Sequence, residues 1–262
     1  MGLIKASAQI VNEHGTMANL RKAWLAADDL GADAIFNNDH FFVTVGAKEG
    51  MNFEAWSVLA AMAEATERAQ VGCLVTGNSY RNPNLLADMA RTIDHVSDGR
   101  FIIGIGSGWK EEDYVEYGYE WGTPGSRLRD LDRDMPLIRD RLTKLDPPPV
   151  NGTIPILIGG AGEKVTLRIV AEHADIWHMN GDLETAKHKS SVLEEWTRKV
   201  GRDGSTIERS IGVNATTFAN ADEYVALGFT HFTVVSVGPD WDLGFFREVL
   251  AWRDERNRAG GQ

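Results

Sequence analysis

The amino-acid sequence predicts a (β/α)8 barrel, and three observations predict it. Eight short aliphatic or β-branched runs alternate with eight amphipathic segments, the pattern of a parallel sheet that at this count closes on itself. The length, 262 residues, fits one such barrel, which typically takes about 250. The first run leads into Gln9-Ile10-Val11-Asn12-Glu13-His14 and not into the glycine-rich turn that a doubly wound nucleotide-binding sheet carries there. Two domains of about 130 residues would fit the length as well. The unbroken alternation favours one domain over residues 1–262.

The elements follow in order. A strand is expected over Ile4–Ile10, then a helix capped by Thr16, presenting Leu20, Trp24 and Leu25, and closed by Gly31. Strand Ala34–Phe36 leads to helix Phe53–Thr66, whose apolar face is Trp56, Leu59, Ala60 and Ala63. Strand Val71–Val75 precedes helix Pro83–Val96, with proline in its first turn. Strand Phe101–Ile105 precedes helix Arg127–Leu142, which Pro136 should kink or shorten. The proline-rich stretch Leu145–Pro155 is read as a loop, because the alternation resumes beyond it. Strand Ile156–Ile158 and helix Glu163–His173 follow, then strand Ile176–Met179 and helix Leu183–Val200. Strand Ile211–Ala215, helix Asp222–Leu227, strand Phe232–Val235 and helix Asp242–Arg253 complete the count, and the tail from Asn257 is expected to fray. There is no internal repeat and no low-complexity segment.

Composition narrows the function. With 27 basic and 38 acidic side chains the net charge is −11, which repels phosphate backbones and anionic lipid, so no nucleic-acid or membrane-surface partner is expected. No apolar run approaches the roughly 20 residues of a membrane span. Residues Met1 to Val11 read as a strand, without a basic-then-apolar signal pattern. The single cysteine, Cys73, allows no internal disulfide and suits a reducing cytoplasm.

In an α/β barrel the chemistry sits at the carboxyl ends of the strands. After the second strand comes Asn37-Asn38-Asp39-His40, where a histidine beside a carboxylate could give or take a proton near neutral pH; a structural Asp–His hydrogen bond is the competing interpretation. After the third comes Thr76-Gly77-Asn78-Ser79-Tyr80-Arg81, small and polar enough for a flat ring to approach the backbone, with Arg81 able to neutralise an anionic group. The fourth ends in Gly104-Ile105-Gly106-Ser107-Gly108-Trp109 and the fifth in Gly159-Gly160-Ala161-Gly162-Glu163-Lys164. Two glycine-rich turns on one rim, the second with Lys164 in the first turn of a helix, could cradle a phosphate, although such glycines also serve tight packing. Neither is a P-loop, and Gly106-Ser107-Gly108 lacks the spacing of a nucleophile elbow. No metal motif is present: His173 and His178 stand apart, and Glu111-Glu112-Asp113 reads as a solvated helix start. Trp109, Trp177, His178 and Met179 suggest an apolar pocket that accepts aromatic groups, or else core packing.

These blocks resemble the bacterial-luciferase-like oxidoreductases. The resemblance is carried by Leu30-Gly31-Ala32-Asp33-Ala34-Ile35-Phe36 ending in Asp39-His40-Phe41, and by Ala65-Thr66-Glu67-Arg68-Ala69-Gln70-Val71-Gly72 running on to Pro83. It is carried also by Asp94-His95-Val96-Ser97-Asp98-Gly99-Arg100-Phe101 through Trp109, and by Pro155-Ile156-Leu157-Ile158-Gly159-Gly160 with Ala174-Asp175-Ile176-Trp177. It spans roughly residues 4 to 180, and the first two blocks look most like actinobacterial members that use coenzyme F420.

The resemblance implies a (deaza)flavin ring at the strand carboxyl ends, backed by a non-prolyl cis peptide at Leu74–Val75. It implies a cofactor phosphate held by backbone around Gly106, Ser107, Gly108 and Trp109 and around Gly159, Gly160 and Ala161. Asp39, Leu74, Val75, Thr76, Gly77, Asn78 and Arg81 would complete the cofactor site. His40, with Asp39 beside it, would handle the proton that accompanies hydride transfer to or from a small organic substrate. An FMN-dependent monooxygenase using O2, a non-catalytic (deaza)flavin-binding protein, and a metal-dependent hydrolase built on Asp39 and His40 are the alternatives. A homodimer is compatible with the family, in which dimers are frequent. One departure stands out: Arg141 to Pro149 runs almost directly to Ile154-Pro155, where the family usually carries a longer insertion, so the mouth of the site should be more open.

Overall fold

Strand β1 (Lys5–Ile10) lies between β2 (Ala34–Asn37) and β9 (Phe229–Ser236), parallel to both, in a computed structural model that describes residues 3–260. Around the sheet the third strand is split into β3 (Gln70–Cys73) and β4 (Thr76–Gly77), followed by β5 (Phe101–Gly106), β6 (Ile156–Gly159), β7 (Ile176–Asn180) and β8 (Glu208–Val213). Both halves of the split strand pair with β5, so the all-parallel sheet closes and forms one eight-stranded barrel. The outward residues Ala6, Ala8, Ile10, Ile35, Val71, Ile103, Ile105, Ile156 and Ile158 join the helices in one apolar core.

The helices start where the sequence offers caps. Thr16 accepts from the Asn19 amide to open α1 (Met17–Asp29), and Glu54 caps α2 (Ala55–Ala65). Asn82 followed by Pro83 opens α3 (Pro83–Val96). A short α4 (Glu111–Tyr117), which the alternation alone did not set out as an element, precedes α5 (Pro124–Thr143). Then come α6 (Thr166–His173), α7 (Leu183–Val200), the one-turn α8 (Ala215–Phe218), α9 (Ala221–Ala226) and α10 (Gly244–Gly260).

Four expectations are corrected. Pro136 does not shorten α5, which runs the full 20 residues behind the Thr123 capping box and Pro124. Helix α6 begins at Thr166, so Lys164 lies in the turn before it and not in its first turn. The seventh strand, β8, begins at Glu208 and stops at Val213, and Ala215 already opens a helix. The tail does not fray at Asn257: its side chain accepts from the Ile4 amide at 2.8 Å and donates to the Ile4 carbonyl at 2.9 Å, stapling α10 to the entry of β1. The expectation for Met1 and Gly2 falls outside the described residues.

The barrel interior is two-sided. Ala34, Phe36, Leu74, Ile102, Leu157 and Ile176 from β2 to β7 form an apolar cluster. The adjoining strands β7, β8, β9 and β1 point His178, Ser210, Glu208, His231, Thr233, Ser7 and Lys5 inward or toward the lower rim. His231 Nδ1 donates to Glu208 at 2.6 Å, Lys5 Nζ reaches the other Glu208 oxygen at 2.6 Å, and His231 Nε2 meets the Ser7 hydroxyl. This cluster lies at the amino-terminal face, the stabilising end of such a barrel.

Burial works against the Glu208 charge, but the hydrogen bond and charge of His231, and then Lys5, outweigh it and hold the carboxyl at about 2. A folded-state pKa below the unfolded one gives stability that is complete above the unfolded value and fades as pH falls toward the folded one. The cluster should therefore lose ~3 kcal/mol between about pH 5 and pH 2. Denaturant unfolding over that range should show a shallower pH dependence in Glu208→Gln than in the wild type; equal slopes would show that the cluster does not carry this stability.

Candidate active site

A cavity of about 580 Å³ opens at the carboxyl ends of the strands. Of the residues singled out in the sequence, Asp39, His40, Leu74, Val75, Thr76, Gly77, Gly108, Trp109, Gly159, Gly160 and Ala161 line it. Asn78, Arg81, Gly106 and Ser107 do not; Asn78 and Arg81 line a separate cavity. His178 and Met179 also face it, whereas Trp177 points outward into the helical core and donates to the Gly160 carbonyl at 2.8 Å.

The cavity floor is shaped by the break in the third strand. The Leu74–Val75 peptide is cis, as the resemblance implied, and Gln9 Nε2 holds the Leu74 carbonyl at 2.7 Å. The Val75 side chain enters the barrel mouth over glycines. A Cβ at Gly106 would lie 2.8 Å from Val75 Cγ2, one at Gly159 would lie 2.9 Å from Val75 Cγ1, and one at Gly104 would collide with the Cys73 carbonyl. At least three of the glycines that the sequence offered as a phosphate cradle are thus required by close packing beneath the floor. Gly108 and Gly160 remain on the rim, both with positive φ, at +79° and +129°.

Asp39 is fully enclosed, and its charge is met by a fixed cation. Arg81 clamps it through Nη1 at 2.6 Å and Nη2 at 3.2 Å, and Nη2 also reaches Glu54 at 2.6 Å. The Thr76 hydroxyl donates to the same Asp39 carboxylate and accepts from Trp56 Nε1 at 2.9 Å. Burial disfavours the Arg81 charge, but Asp39 and then Glu54 more than restore it. Arg81 therefore neutralises an anionic group, as expected of it, but that group is the protein's own Asp39.

Asp39 does not orient His40; Asp113 does. His40 Nδ1 lies 2.6 Å from Asp113 Oδ2, and the amides of Phe41 and Phe42 donate to Asp113 Oδ1 at 3.0 and 3.3 Å. The Tyr80 phenol donates to Oδ2 at 3.0 Å. Asp113 is not a solvated helix-start residue: its side chain is 0% exposed, walled by Phe41, Tyr80, Tyr114 and Tyr117. Burial favours its neutral form, yet the His40 hydrogen bond and charge, the Phe41 amide and Tyr80 outweigh it and hold Asp113 below the usual carboxylate range. Burial, and then Asp113, push the Tyr80 phenol far above its ordinary range, so it stays a donor. With Nδ1 engaged, His40 Nε2 is the nitrogen left for the cavity, where Trp109 meets the ring edge-on at 5.2 Å.

Several lining residues were not assigned to the site from the sequence, among them Gln9, Val11, Asn38, Thr44, Tyr80, Asn180 and Val235. The alternation of β1 and β9 could have found Gln9 and Val235, the last inward positions of their strands. The loop after His40 is pinned by Glu13, a buried carboxylate that accepts from Asn38 Nδ2 at 2.6 Å, the Thr44 hydroxyl at 2.7 Å and the Thr44 amide at 3.0 Å. Among the described residues one acidic group with histidine, Asp132, Glu172 and His173, approaches a ligand set, but Arg168 bridges both its carboxylates at 2.7 Å.

Removing Arg81 should leave Asp39 buried and uncompensated. Arg81→Met is expected to destabilise the fold by ~3–5 kcal/mol, and adding Asp39→Asn should recover at least about half of that. Urea unfolding of the two variants checks it, and purely additive losses would show that the pair is not coupled.

The family model described as luciferase-like monooxygenase matches residues 3–259. A phthiodiolone/phenolphthiodiolone dimycocerosates ketoreductase of Mycobacterium tuberculosis is 28% identical over 189 residues, covering 60% of this chain and 49% of that protein. The chain spans 49% to 65% of the length of the curated relatives it matches. Among solved structures, an F420-dependent secondary alcohol dehydrogenase in complex with an F420–acetone adduct superposes with a TM-score of 0.82 at 16% identity, over 95% of this chain and 98% of that one. The FMN-bound oxygenating constituent of 3,6-diketocamphane monooxygenase, from a Pseudomonas putida plasmid, superposes with a TM-score of 0.65 at 15% identity, over 80% and 67%. A closed parallel barrel, a mouth shaped by a split third strand and a family match over nearly its whole length together establish that this chain belongs to the luciferase-like monooxygenase family.

Proposed function

We propose that the protein is a coenzyme F420-dependent oxidoreductase that moves a hydride between the deazaflavin and a small carbonyl compound or its alcohol. The observation that carries this reading is the His40–Asp113 pair at the cavity: a proton-transfer group oriented by a buried carboxylate, with its second nitrogen directed at the space a substrate would enter. The ketoreductase relative and the F420-dependent alcohol dehydrogenase, which superposes more closely than the FMN protein, support the same class of reaction.

The cavity fits a tricyclic ring. Its volume of about 580 Å³ falls in the range of small-molecule sites. The Val75 projection, received by Gly106 and Gly159, offers an apolar ledge for one ring face. Leu74, Val75, Thr76 and Gly77 would hold the ring, and the Gly108–Trp109 and Gly159–Ala161 turns would meet the tail. When bound, the deazaflavin supplies or accepts the hydride.

The chain's own residues handle the proton. Asp113 accepts from His40 Nδ1 and so fixes the tautomer and the ring plane. His40 Nε2 then gives a proton to the substrate oxygen during carbonyl reduction and takes one during alcohol oxidation. Tyr80 and the Phe41 amide keep Asp113 ionised and in place, so the imidazolium form of His40 has a counter-charge.

Fluorescence titration of the purified protein with oxidised coenzyme F420 and with FMN tests the reading; tighter binding of FMN would overturn it in favour of a flavin monooxygenase. With F420 bound, His40→Ala should slow hydride transfer by about 10²–10⁴-fold at saturating substrate while leaving cofactor affinity within about threefold. Asp113→Asn should slow it by about 10–10²-fold, through loss of orientation. Unchanged rates in His40→Ala would remove its role.

A further inference from the structure

Across the barrel from His40 stands a second histidine of different character. His178 is the middle inward residue of β7, and β7 and β2 lie on opposite sides of the eight-stranded ring. Its ring lines the cavity and is 6% exposed. Among the described residues the ring's one hydrogen bond is between Nδ1 and the Ser210 hydroxyl, at 2.9 Å, and Ser210 is itself fully buried. Nε2 has no partner among the described residues. Beside it β8 carries Gly212, where a Cβ would lie 3.8 Å from Nε2 and would collide with the Asn180 side-chain oxygen. A side chain at position 212 would close the space next to Nε2; glycine leaves it open.

Burial, and then the neighbouring His231, depress the His178 pKa to about 3. No carboxylate pairs with it, since Glu208 is taken up by His231 and Lys5 at the lower end of the barrel. The imidazole is therefore neutral near neutral pH, and a neutral imidazole offers one donor and one acceptor nitrogen. A buried nitrogen aimed into a cavity with no partner is completed by whatever fills that cavity.

We propose that His178, positioned by Ser210, is a cofactor-recognition residue whose Nε2 hydrogen-bonds the pyrimidinedione edge of a bound flavin or deazaflavin ring, on the wall opposite His40. This rests on the reading of the cavity as a ring site. The pyrimidinedione edge, with its carbonyl acceptors and N–H donor, is common to coenzyme F420 and FMN, so the assignment holds for either. The two histidines divide the site: His40, next to a carboxylate, handles protons, and His178 holds the ring without exchanging one.

The test is equilibrium binding, followed by fluorescence, of oxidised coenzyme F420 and separately of FMN to the wild type and to His178→Phe, His178→Gln and Ser210→Ala, with the ring's visible absorption recorded when bound. His178→Phe keeps the bulk and loses the hydrogen bond; for the ring that the wild type prefers, its affinity should fall about 5- to 15-fold and the absorption band should move toward that of the free cofactor. Ser210→Ala should weaken binding about 2- to 4-fold, and His178→Gln should stay within about threefold of the wild type. Binding in His178→Phe within twofold of the wild type would overturn the proposal while leaving the ring site intact; a wild type that captures neither ring would overturn both. Should His178→Phe not fold, Ser210→Ala and His178→Gln decide: weakening in the first with retention in the second supports the role, and unchanged affinity in Ser210→Ala overturns it.

Discussion

The site depends on one local constraint: between Cys73 and Thr76 the third strand leaves the sheet and turns a valine into the barrel mouth. A side chain entering a closed barrel needs space that eight inward-pointing neighbours would normally fill. Gly104, Gly106 and Gly159 on the two following strands provide it, and Gln9, on β1 two strands away, holds the Leu74 carbonyl that turns with it. The same departure delivers Thr76 to Asp39 and Trp56, and Tyr80 to Asp113. Cavity floor and polar wall are thus consequences of a single interruption. This also explains why so many glycines gather on these two strands: packing beneath the floor requires several of them before any ligand is considered.

Two buried carboxylates flank the cavity, and their partners give them different work. A buried charge must be compensated, and the compensating group decides whether the pair can change protonation. Asp39 is bound by a guanidinium, which does not titrate in any accessible range, and by a threonine hydroxyl; this pair ties the loop after β2 to β4 and to the start of α2. Asp113 is bound by an imidazole, the group that can change its proton near neutrality. The first pair holds the wall, and the second leaves the other imidazole nitrogen of His40 on the side of the cavity.

The barrel itself was legible because its strands and caps obey local rules. The aliphatic runs at Phe101 and Ile156, the caps Thr16 and Asn82, and Gly31 after α1 each announce their element within a few residues. What could not be read depended on pairs distant in sequence. Asp113 looks like a surface acid because Glu111 and Glu112 beside it are surface acids; its burial comes from His40, which is 73 positions away, and from the aromatic wall. Arg81 looks like a free cation until Asp39 and Glu54 are brought to it. Glu208 looks like a loop residue because a charge at the start of a strand suggests solvent, whereas here it meets a histidine and a lysine at the lower rim. Asn257 seemed to lie in a loose tail until the barrel closed and Ile4 came within reach.

The polar half of the barrel extends this logic along its axis. Three histidines line or border the interior, and depth and partner give each a different electrostatic role. At the lower end His231 has a carboxylate and, through it, an ammonium. At the middle His178 has only a hydroxyl, and without a counter-charge a buried imidazole must stay neutral. At the top His40 has Asp113 on one side and the cavity on the other. A charged imidazole halfway along a closed barrel would have no counter-charge and little solvent to screen it. A neutral His178 avoids that cost, so the buried charges at the carboxyl end of the barrel are the two compensated carboxylates, Asp39 with Arg81 and Asp113 beside His40.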